Sequence, residues 1–280
     1  MKAVRYIKNR IYLIINFVIL AFIYFEMMNI TERHQYILEK LKKDGKVNIF
    51  DLVDEMGVSG VTIRKDLKLL EDKNLMFRIR GGGSINNPYA ADKPIYEKEL
   101  INADEKKRIA KAAIELIGDT DSIMIGSGTT VFEVARALLP NKHLTVITPA
   151  LRVGLELSNR SHVEVLQLGG LIRPNSSSVM GASAMQMLND ISCGVFFLGV
   201  DGIDLNFGIS ISNLSEAALN QKMIETAQTV VVLADSTKFD RRGLGRICGL
   251  EQVQYIITDK HVSNSTVKAI KEMDIKVIVV

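Results

Sequence analysis

The chain has 280 residues, of which 47% are hydrophobic, and a formal net charge of +3. This composition supplies enough apolar side chains for one or two packed cores and excludes an intrinsically disordered chain. The positive charge is concentrated at the amino end, where residues 1–85 hold 15 Lys and Arg against 10 Asp and Glu, and the remainder holds 20 against 22; such an asymmetry permits nucleic-acid binding but does not establish it.

Residues 1–28 form an apolar extension. The charge-free run from Ile11 to Phe25 follows several basic residues, an order that resembles a signal peptide or membrane anchor. The run is shorter than the roughly 20 residues of a spanning helix, and no small-residue cleavage site follows it. The alternatives are a membrane anchor, a cleaved signal peptide, or a translation start placed too far upstream of Met27 or Met28. We expect the last, and a cytoplasmic protein, because Thr31 can cap a soluble helix soon afterwards.

Residues 30–85 have the pattern of a small DNA-binding module. Apolar residues at helical spacing predict a helix over Thr31 to Lys43 and a shorter one that ends at Gly57. A third helix follows Ser59, and the alternating segment Leu75–Arg80 runs into three glycines as a β-wing. Helix, short helix, tight turn and helix is the order of a helix-turn-helix, whose second helix enters the major groove.

The helix after Ser59 has two opposed faces. At about 100° per residue, Ile63, Leu67 and Leu70 fall on one apolar stripe, and the basic side chains fall opposite. Such a helix packs on a small core and presents cations to phosphates and base edges, although a solvated surface helix has the same pattern. Ser59 is a good N-cap that leaves N–H groups open in the first turn. The expected DNA-binding residues are Ser59, Arg64, Lys65, Lys68 and, on the wing, Arg78 and Arg80.

A linker over residues 86–103, without hydrophobic periodicity, precedes a second domain over residues 104–280. This domain alternates amphipathic helices with short apolar runs, which are typical of buried parallel strands. The predicted strands are Ser122–Ile125, Leu144–Ile147, Val163–Leu166, Gly194–Leu198, Val230–Leu233, Tyr255–Ile257 and Lys276–Val280. The fold class is therefore α/β, with a small winged helix-turn-helix joined to a Rossmann-like domain whose mostly parallel sheet is covered on both faces.

Ligands of such sheets collect at the carboxyl ends of the strands, where four polar turns follow predicted strands. The turn Gly126–Thr130 opens a helix with small residues, hydroxyls and N–H groups, which suits a phosphate. Asp201 could bind sugar hydroxyls, Lys238 could neutralise a phosphate, and Arg173 lies in the fourth turn. Each turn alone could be structural, but together they favour a polyhydroxy phosphate held by Ser127, Gly128, Thr129, Thr130, Gly170, Arg173, Asp201, Gly202 and Lys238.

Signals of catalytic or metal chemistry are absent from the sequence. The four histidines stand at none of these turns, and Cys193 and Cys248 are far apart. Neither a Walker motif nor a GxGxxG turn follows a strand. We therefore predict no catalytic residue, no cofactor and no metal, and two separate cysteines fit a reducing compartment.

The amino-terminal residues resemble the DeoR family of bacterial transcription regulators. The specific matches are Arg33, Ile37 and Leu41, then Ser59-x-x-Thr62-Ile-Arg-Lys-Asp-Leu67, Leu70-Glu71, Leu75, Arg78 and Gly81-Gly82. Asn74, Arg80 and Gly83 depart mildly from the usual Gly, His and Ala. The resemblance implies a helix-turn-helix over about residues 47–66 and names as DNA contacts Thr62, Arg64 and Lys65.

The carboxyl half resembles the effector domain of this family, whose fold is similar to those of sugar-phosphate isomerases and coenzyme A transferases. The matching segments are Ser127–Thr130, Leu168–Gly170, Gly199–Gly202, Glu216–Ala218 and Asp235–Phe239. The resemblance adds Glu216 to the expected effector-binding residues. Gly126 and Pro149 stand where the family has Asp and Asn, and these departures bear on which sugar phosphate fits.

We therefore predict a sequence-specific transcription regulator, a repressor of a carbohydrate-utilisation operon, that binds double-stranded operator DNA and a phosphorylated sugar. Symmetric operators favour a homo-oligomer, either a dimer or a tetramer. The rival is a sugar-phosphate isomerase with a fused DNA-binding module, whose acid–base groups would come from Asp201, Asp204, Glu216 and Lys238. A fused helix-turn-helix has no use in such an enzyme, which favours the regulator. A membrane tether would change the location and leave this chemistry alone.

Overall fold

The computed structural model describes residues 28–73, 75–79, 81–85 and 94–280. The chain divides between residues 88 and 89 into two compact units, called here the amino-terminal and the carboxyl-terminal unit. The apolar run Ile11 to Phe25, Asn74 and Arg80 lie outside the described residues. Across the described ranges, no helix is both long and apolar enough to cross a membrane.

The described part of the amino-terminal unit combines three helices with a small sheet. The helices are α1 Ile30–Asp44, α2 Ile49–Met56 and α3 Gly60–Asp72, and the strands are β1 Lys46–Asn48, β2 Phe77–Ile79 and β3 Gly82–Ser84. One apolar stripe of each helix enters a common core, which includes Leu41, Leu52 and Ile63. The predicted helix-turn-helix followed by a wing is confirmed.

Capping residues set where these helices begin and end. Asn29, and not the predicted Thr31, caps α1: its side chain accepts hydrogen bonds from the N–H groups of Thr31 and Glu32, and the Glu32 carboxylate accepts one from the Asn29 N–H. This reciprocal capping box satisfies three amides, whereas Thr31 already lies inside the helix. α1 ends before Gly45 and α2 before Gly57, which adopt the left-handed conformation that glycine tolerates, with φ of 75° and 64°.

A strand that the sequence did not predict completes the wing. β1 pairs antiparallel with β3, which also pairs with β2. Gly82 lies in the central strand β3, where an added Cβ would lie 1.8 Å from the Val47 carbonyl oxygen. Gly81 makes the turn with a φ of 83°. The glycine run therefore serves both the turn and the close approach of β1.

The carboxyl-terminal unit is built on a parallel sheet. Its strands are β4 Ser122–Ile125, β5 Leu144–Thr148, β6 Val163–Gln167, β9 Cys193–Gly199, β12 Ala227–Leu233, β14 Tyr255–Thr258 and β15 Lys276–Val279. They lie in the order β15-β14-β12-β9-β4-β5-β6, and every neighbouring pair is parallel. All seven predicted runs are strands of this sheet, and the predicted α/β fold class is confirmed.

Helices cover both faces of the sheet. In chain order they are α4 Ile95–Glu99, α5 Ala103–Ile114, α6 Thr129–Ala137, α7 Leu151–Leu157, α8 Ala182–Met187, α9 Leu214–Thr226 and α10 Asn264–Lys271. Neighbouring residues of β9 show the two faces, because successive side chains of a strand point to opposite sides. Phe196 belongs to the core that includes Met223 of α9, and Phe197 to the core that includes Ile109 of α5. Both phenylalanines are fully buried.

Two antiparallel pieces, neither of them predicted, follow strands of the parallel sheet. The hairpin comprises β7 Leu171–Arg173 and β8 Ser178–Met180, and the small sheet comprises β10 Gly202–Asp204, β11 Gly208–Ile211 and β13 Gly245–Cys248. Each of these strands has only three or four residues, so hydrophobic alternation in the sequence is too short to predict it. The hairpin follows β6 and β10 follows β9, so both pieces begin at carboxyl ends of strands where ligand turns were expected.

The structure differs from the predicted linker over residues 86–103. Residues 86–93 lie outside the described part of the chain, but Ile95–Glu99 form the helix α4. Ile95 is 9% exposed, and its N–H donates to the Asn175 carbonyl oxygen at 2.8 Å. Residues 94–103 therefore belong to the carboxyl-terminal unit, where Ile95 is buried, although Tyr96 and Leu100 remain exposed.

Candidate DNA-binding face and ligand site

The helix α3 combines a buried stripe with an exposed basic face, as predicted. Ile63 and Leu67 are fully buried in the core of the amino-terminal unit, whereas Arg64, Lys65 and Lys68 are exposed. Packing thus fixes one side of the helix and leaves three cations on the other. A helix of this form can contact phosphates and base edges in the major groove.

The first turn of α3 is held by two hydroxyls. The Ser59 side chain accepts a hydrogen bond from the Thr62 N–H at 3.1 Å, and the two side-chain oxygens lie 2.9 Å apart. Ser59 therefore caps the helix as predicted, and the hydroxyl of Thr62, an expected DNA contact, is engaged with the cap. The N–H groups of Gly60 and Val61 precede the first intrahelical bonds and face outward along the helix axis.

A buried ion pair that sequence reasoning did not single out fixes α3 against α1. Arg33 Nε donates to Asp66 Oδ2 at 2.7 Å, and Arg33 Nη2 donates to Oδ1 at 3.1 Å. Asp66 is 1% exposed, and His34 Nε2 lies 3.3 Å from its Oδ1. The hydrogen bond to Asp66 raises the pKa of Arg33 against the opposing effect of burial. The sequence did carry a signal, since Asp66 stands within the apolar stripe between Ile63 and Leu70.

The wing is tied to the end of α3. The Arg78 N–H donates to Glu71 Oε1 at 2.9 Å, and Glu71 is buried. The Arg78 side chain is half-buried, so the structure places this expected DNA contact beside the helix. Arg80, its expected companion, lies outside the described residues.

Three of the four predicted ligand turns follow neighbouring strands, β12, β9 and β4, and the fourth, at Gly170, follows the edge strand β6. The turn at Ser127 follows β4, Asp201 follows β9, and Lys238 follows β12. The first two turns are in close contact, because a Cβ added at Gly199 would lie 2.7 Å from the Ser127 carbonyl oxygen. The structure therefore brings these three predicted turns together at one edge of the sheet.

The helix α6 opens at this edge without a side-chain cap. Its N-cap is Gly128, with a φ of 124°, which has no side chain to accept a hydrogen bond from the first turn. The predicted Thr129 and Thr130 occupy that turn and are buried, and the Ser127 hydroxyl bonds to the Ser178 hydroxyl of the hairpin. Open N–H groups at a helix N-terminus form a site for an anion.

Lysines surround Asp201 at the same edge. Lys98 Nζ donates to Asp201 Oδ1 at 3.2 Å, and the Ser212 N–H donates to Oδ2 at 3.0 Å. Burial alone would raise the pKa of Asp201, but the positive charges of Lys98 and Lys238, with the Ser212 hydrogen bond, outweigh it and lower the pKa. Lys238 makes no ion pair within the described chain, and its amine therefore remains available to an anion.

Lys106 and Asn102 complete this cluster from the beginning of α5. Lys106 is 4% exposed and its amine donates to the Lys98 carbonyl oxygen. Burial lowers its pKa, Asp235 opposes that effect, and the charge of Lys238 adds to it. Asn102 Nδ2 donates to Asp235 Oδ1 at 3.2 Å. The sequence did not predict Lys98 and Asn102 as site residues because both fell in the predicted linker. Lys106 could have been noticed, because it is a lysine on the buried stripe of a helix.

Other predicted ligand residues have partners within the protein. Arg173 Nη1 donates to Glu216 Oε2 at 3.0 Å, and both side chains are largely buried. Arg242 Nη2 donates in the same way to Asp204 Oδ1 at 3.1 Å. A sugar-phosphate isomerase would need Asp204 and Glu216 as acid–base groups. In this structure each of them forms an ion pair with an arginine.

Two predicted glycines meet neighbouring backbone. A Cβ added at Gly202 would lie 2.4 Å from the Arg241 carbonyl oxygen, and one added at Gly170 would lie 2.8 Å from that of Met180. Both positions are therefore required by packing of the chain. Among the described residues, no group of three or more His, Cys, Asp and Glu could hold a metal ion.

The chain combines a helix-turn-helix that exposes cations with an α/β unit that has lysines and the start of α6 at the carboxyl edge of its sheet. This combination defines a ligand-responsive DNA-binding regulator. Two family models match the chain: the DeoR-like helix-turn-helix domain at residues 33–88 and the DeoR C terminal sensor domain at residues 101–260. The chain belongs to the DeoR family of transcription regulators. The predicted family is confirmed, and so is the prediction that the protein is a transcription regulator, not an enzyme.

Similar proteins are named as repressors. The chain is 35% identical over 252 residues to a protein of Escherichia coli O157:H7 provisionally named the aga operon transcriptional repressor, with 89% of this chain and 94% of that protein covered. It is 34% identical over 239 residues to the lactose phosphotransferase system repressor of Lactococcus lactis subsp. lactis, covering 84% and 93%. It is 28% identical over 232 residues to the glycerol-3-phosphate regulon repressor of Escherichia coli K12, covering 83% and 92%.

Proposed function

We propose that the protein is a repressor of a carbohydrate operon, which binds operator DNA through α3 and releases it when a phosphorylated sugar binds at the carboxyl edge of the sheet. The relatives named as repressors of the lactose phosphotransferase system and of the glycerol-3-phosphate regulon support this proposal. A ligand that favours the form with low DNA affinity must itself bind less tightly in the presence of DNA, by the same factor.

The observation that carries the proposal is the charge at the ligand edge. Lys98 Nζ lies 3.2 Å from Asp201 Oδ1 and the Lys106 amine donates to the Lys98 carbonyl oxygen, while the charge of Lys238 acts on both Asp201 and Lys106. These lysines would attract a phosphate, which carries up to two negative charges near neutral pH. The open first turn of α6 supplies N–H donors for the same group. The carboxylate of Asp201 would bind the hydroxyls of the sugar.

Calorimetry with a panel of pentose, hexose and triose phosphates tests the ligand part of this proposal. Wild-type protein should bind at least one member, and Lys238→Ala should bind it about 10- to 150-fold more weakly, since a hydrogen bond to a charged group contributes about 1.5 to 3 kcal/mol. Lys268→Ala removes a well-exposed lysine of α10 and serves as the matched control. A complete lack of binding, or equal losses in both variants, would contradict the proposed site.

The DNA part assigns base and phosphate contacts to Arg64, Lys65 and Lys68. Arg64→Ala should reduce affinity for a selected operator by about 1 to 3 kcal/mol, which is the contribution of a good base contact. Lys73→Ala, at the far end of α3, is the control with the same loss of charge. Unchanged operator affinity in Arg64→Ala would refute the role of this arginine.

The proposal extends to assembly and location. A dimer or tetramer would match the symmetry of an operator with two half-sites. A cytoplasmic location would give the protein access to both DNA and phosphorylated sugars. Sedimentation of the protein with and without operator DNA tests the assembly, and a monomer on operator DNA would contradict it. Fractionation of the producing cells tests the location, and a membrane-bound protein would contradict it.

A further inference from the structure

Val61 is an apolar side chain in the first turn of an otherwise basic helix face. It is 59% exposed. Gly60 before it has no side chain, and the Thr62 hydroxyl after it is engaged with Ser59. The first three positions of α3 therefore offer an approaching DNA duplex a single unengaged side chain, and that side chain cannot form hydrogen bonds. The N-terminal residues of a recognition helix are the ones that contact base edges.

The guanidinium of Arg64 lies beside the same turn. A Cβ added at Gly60 would lie 3.7 Å from Arg64 Nη1 and 3.9 Å from Nη2. Arg64 therefore reaches back towards the helix N-terminus, where Val61 is also exposed. An arginine contacts guanine through O6 and N7, and an apolar side chain contacts the C5-methyl group of thymine. Two adjacent groups with these chemistries are suited to neighbouring base pairs.

We propose that Val61 determines specificity by contacting the C5-methyl group of a thymine in the operator, within one base step of the guanine that Arg64 contacts. This inference rests on the proposed DNA-binding role of α3. Isolated exposed valines are common on protein surfaces, but a valine that is merely solvated has no effect on the choice of base. Substitution of the methyl group on the DNA therefore separates the two interpretations.

The test uses the full-length chain and a duplex selected from a random DNA library by binding to the wild-type protein. Each thymine of the selected half-site is replaced in turn by deoxyuridine, which removes only the C5-methyl group, and Kd is measured by fluorescence anisotropy at fixed salt concentration. At one position, next to a guanine, the replacement should weaken wild-type binding about fourfold per half-site, which corresponds to about 0.8 kcal/mol for one buried methyl group.

Val61→Ala should bind the thymine duplex more weakly and should discriminate less between thymine and deoxyuridine at that position, because two of the three side-chain carbons are removed. Folding is not at risk, because Val61 is exposed and alanine is a better helix former. Leu69→Ala, an exposed apolar position eight residues further along α3, should keep the wild-type discrimination. The same deoxyuridine sensitivity in Val61→Ala as in wild type, or sensitivity at no thymine, overturns the inference. Failure of the wild-type chain to select any sequence would instead refute the proposed DNA-binding function.

Discussion

Replacement of Asp66 by alanine tests how the recognition helix is held in place. Asp66 is 1% exposed and receives two hydrogen bonds from Arg33 at 2.7 and 3.1 Å. Its removal leaves Arg33, whose side chain is only 13% exposed, without its carboxylate. Breaking a buried ion pair from one side costs about 3 to 5 kcal/mol. We therefore expect Asp66→Ala to destabilise the amino-terminal unit by that amount.

Hydrogen exchange of the full-length chain measures this loss within the amino-terminal unit alone. At about 1.4 kcal/mol for each factor of ten, the most protected amides of α3 should exchange about 100- to 4,000-fold faster in Asp66→Ala. The control is Glu55→Ala, which removes the half-exposed partner of Lys40 and should cost about 1 kcal/mol or less.

A second variant separates the loss of the pair from the loss of polarity. Arg33→Met combined with Asp66→Leu removes both charges and should cost less than Asp66→Ala alone, because no buried charge is left unpaired. Wild-type protection of α3 in Asp66→Ala would refute the account of this ion pair. A double variant at least as unstable as the single one would refute it equally.

Three further substitutions test the ligand edge and the wing. Lys238→Ala should keep operator affinity but should need a much higher concentration of the phosphorylated sugar to release DNA, as followed by anisotropy; release at the wild-type concentration would contradict its role. Asp201 has a lowered pKa, so its contribution to stability is present above the pKa of an unfolded aspartate, about 3.9, and is lost as the pH falls further towards the folded value. Lys98→Met should diminish that contribution, so Tm should fall less between neutral pH and a pH below the folded pKa of Asp201. The same dependence of Tm on pH as in the wild type would contradict the role of Lys98. Gly82→Ala should destabilise the wing by about 1 to 3 kcal/mol, because the new Cβ would lie 1.8 Å from the Val47 carbonyl oxygen, and unchanged exchange of the β1 amides would contradict this.

The elements predicted well are those whose signals are local and continuous. The central strands of the parallel sheet are buried on both faces, so they contain apolar runs such as Gly194–Leu198. The helix α3 follows equally from its own spacing, because its buried and basic positions repeat with the helical period. The strand β1 has only three residues and pairs with the glycine-containing strand β3. It is too short for a periodic hydrophobic pattern, so the sequence did not predict it.

The ligand edge was only partly predictable for a different reason. Residues after strands could be assigned to one edge from the order of elements alone, as for Ser127 and Lys238. Lys98 and Asn102 reach that edge because α4 packs on the carboxyl-terminal unit, which no local pattern reveals. Arg173 and Glu216, 43 residues apart, were both expected to bind ligand, yet they bind each other. Pairings of this kind depend on tertiary contacts.

A repressor that is released by its ligand must show reciprocal coupling between the DNA-binding face and the ligand site. Operator affinity is measured with and without a saturating phosphorylated sugar, and sugar affinity is measured with and without saturating operator. We expect each ligand to weaken binding of the other by one and the same factor, about 5- to 150-fold, and Lys238→Ala to reduce the effect at accessible sugar concentrations. Tight binding of both ligands with no effect of either on the other would contradict the account.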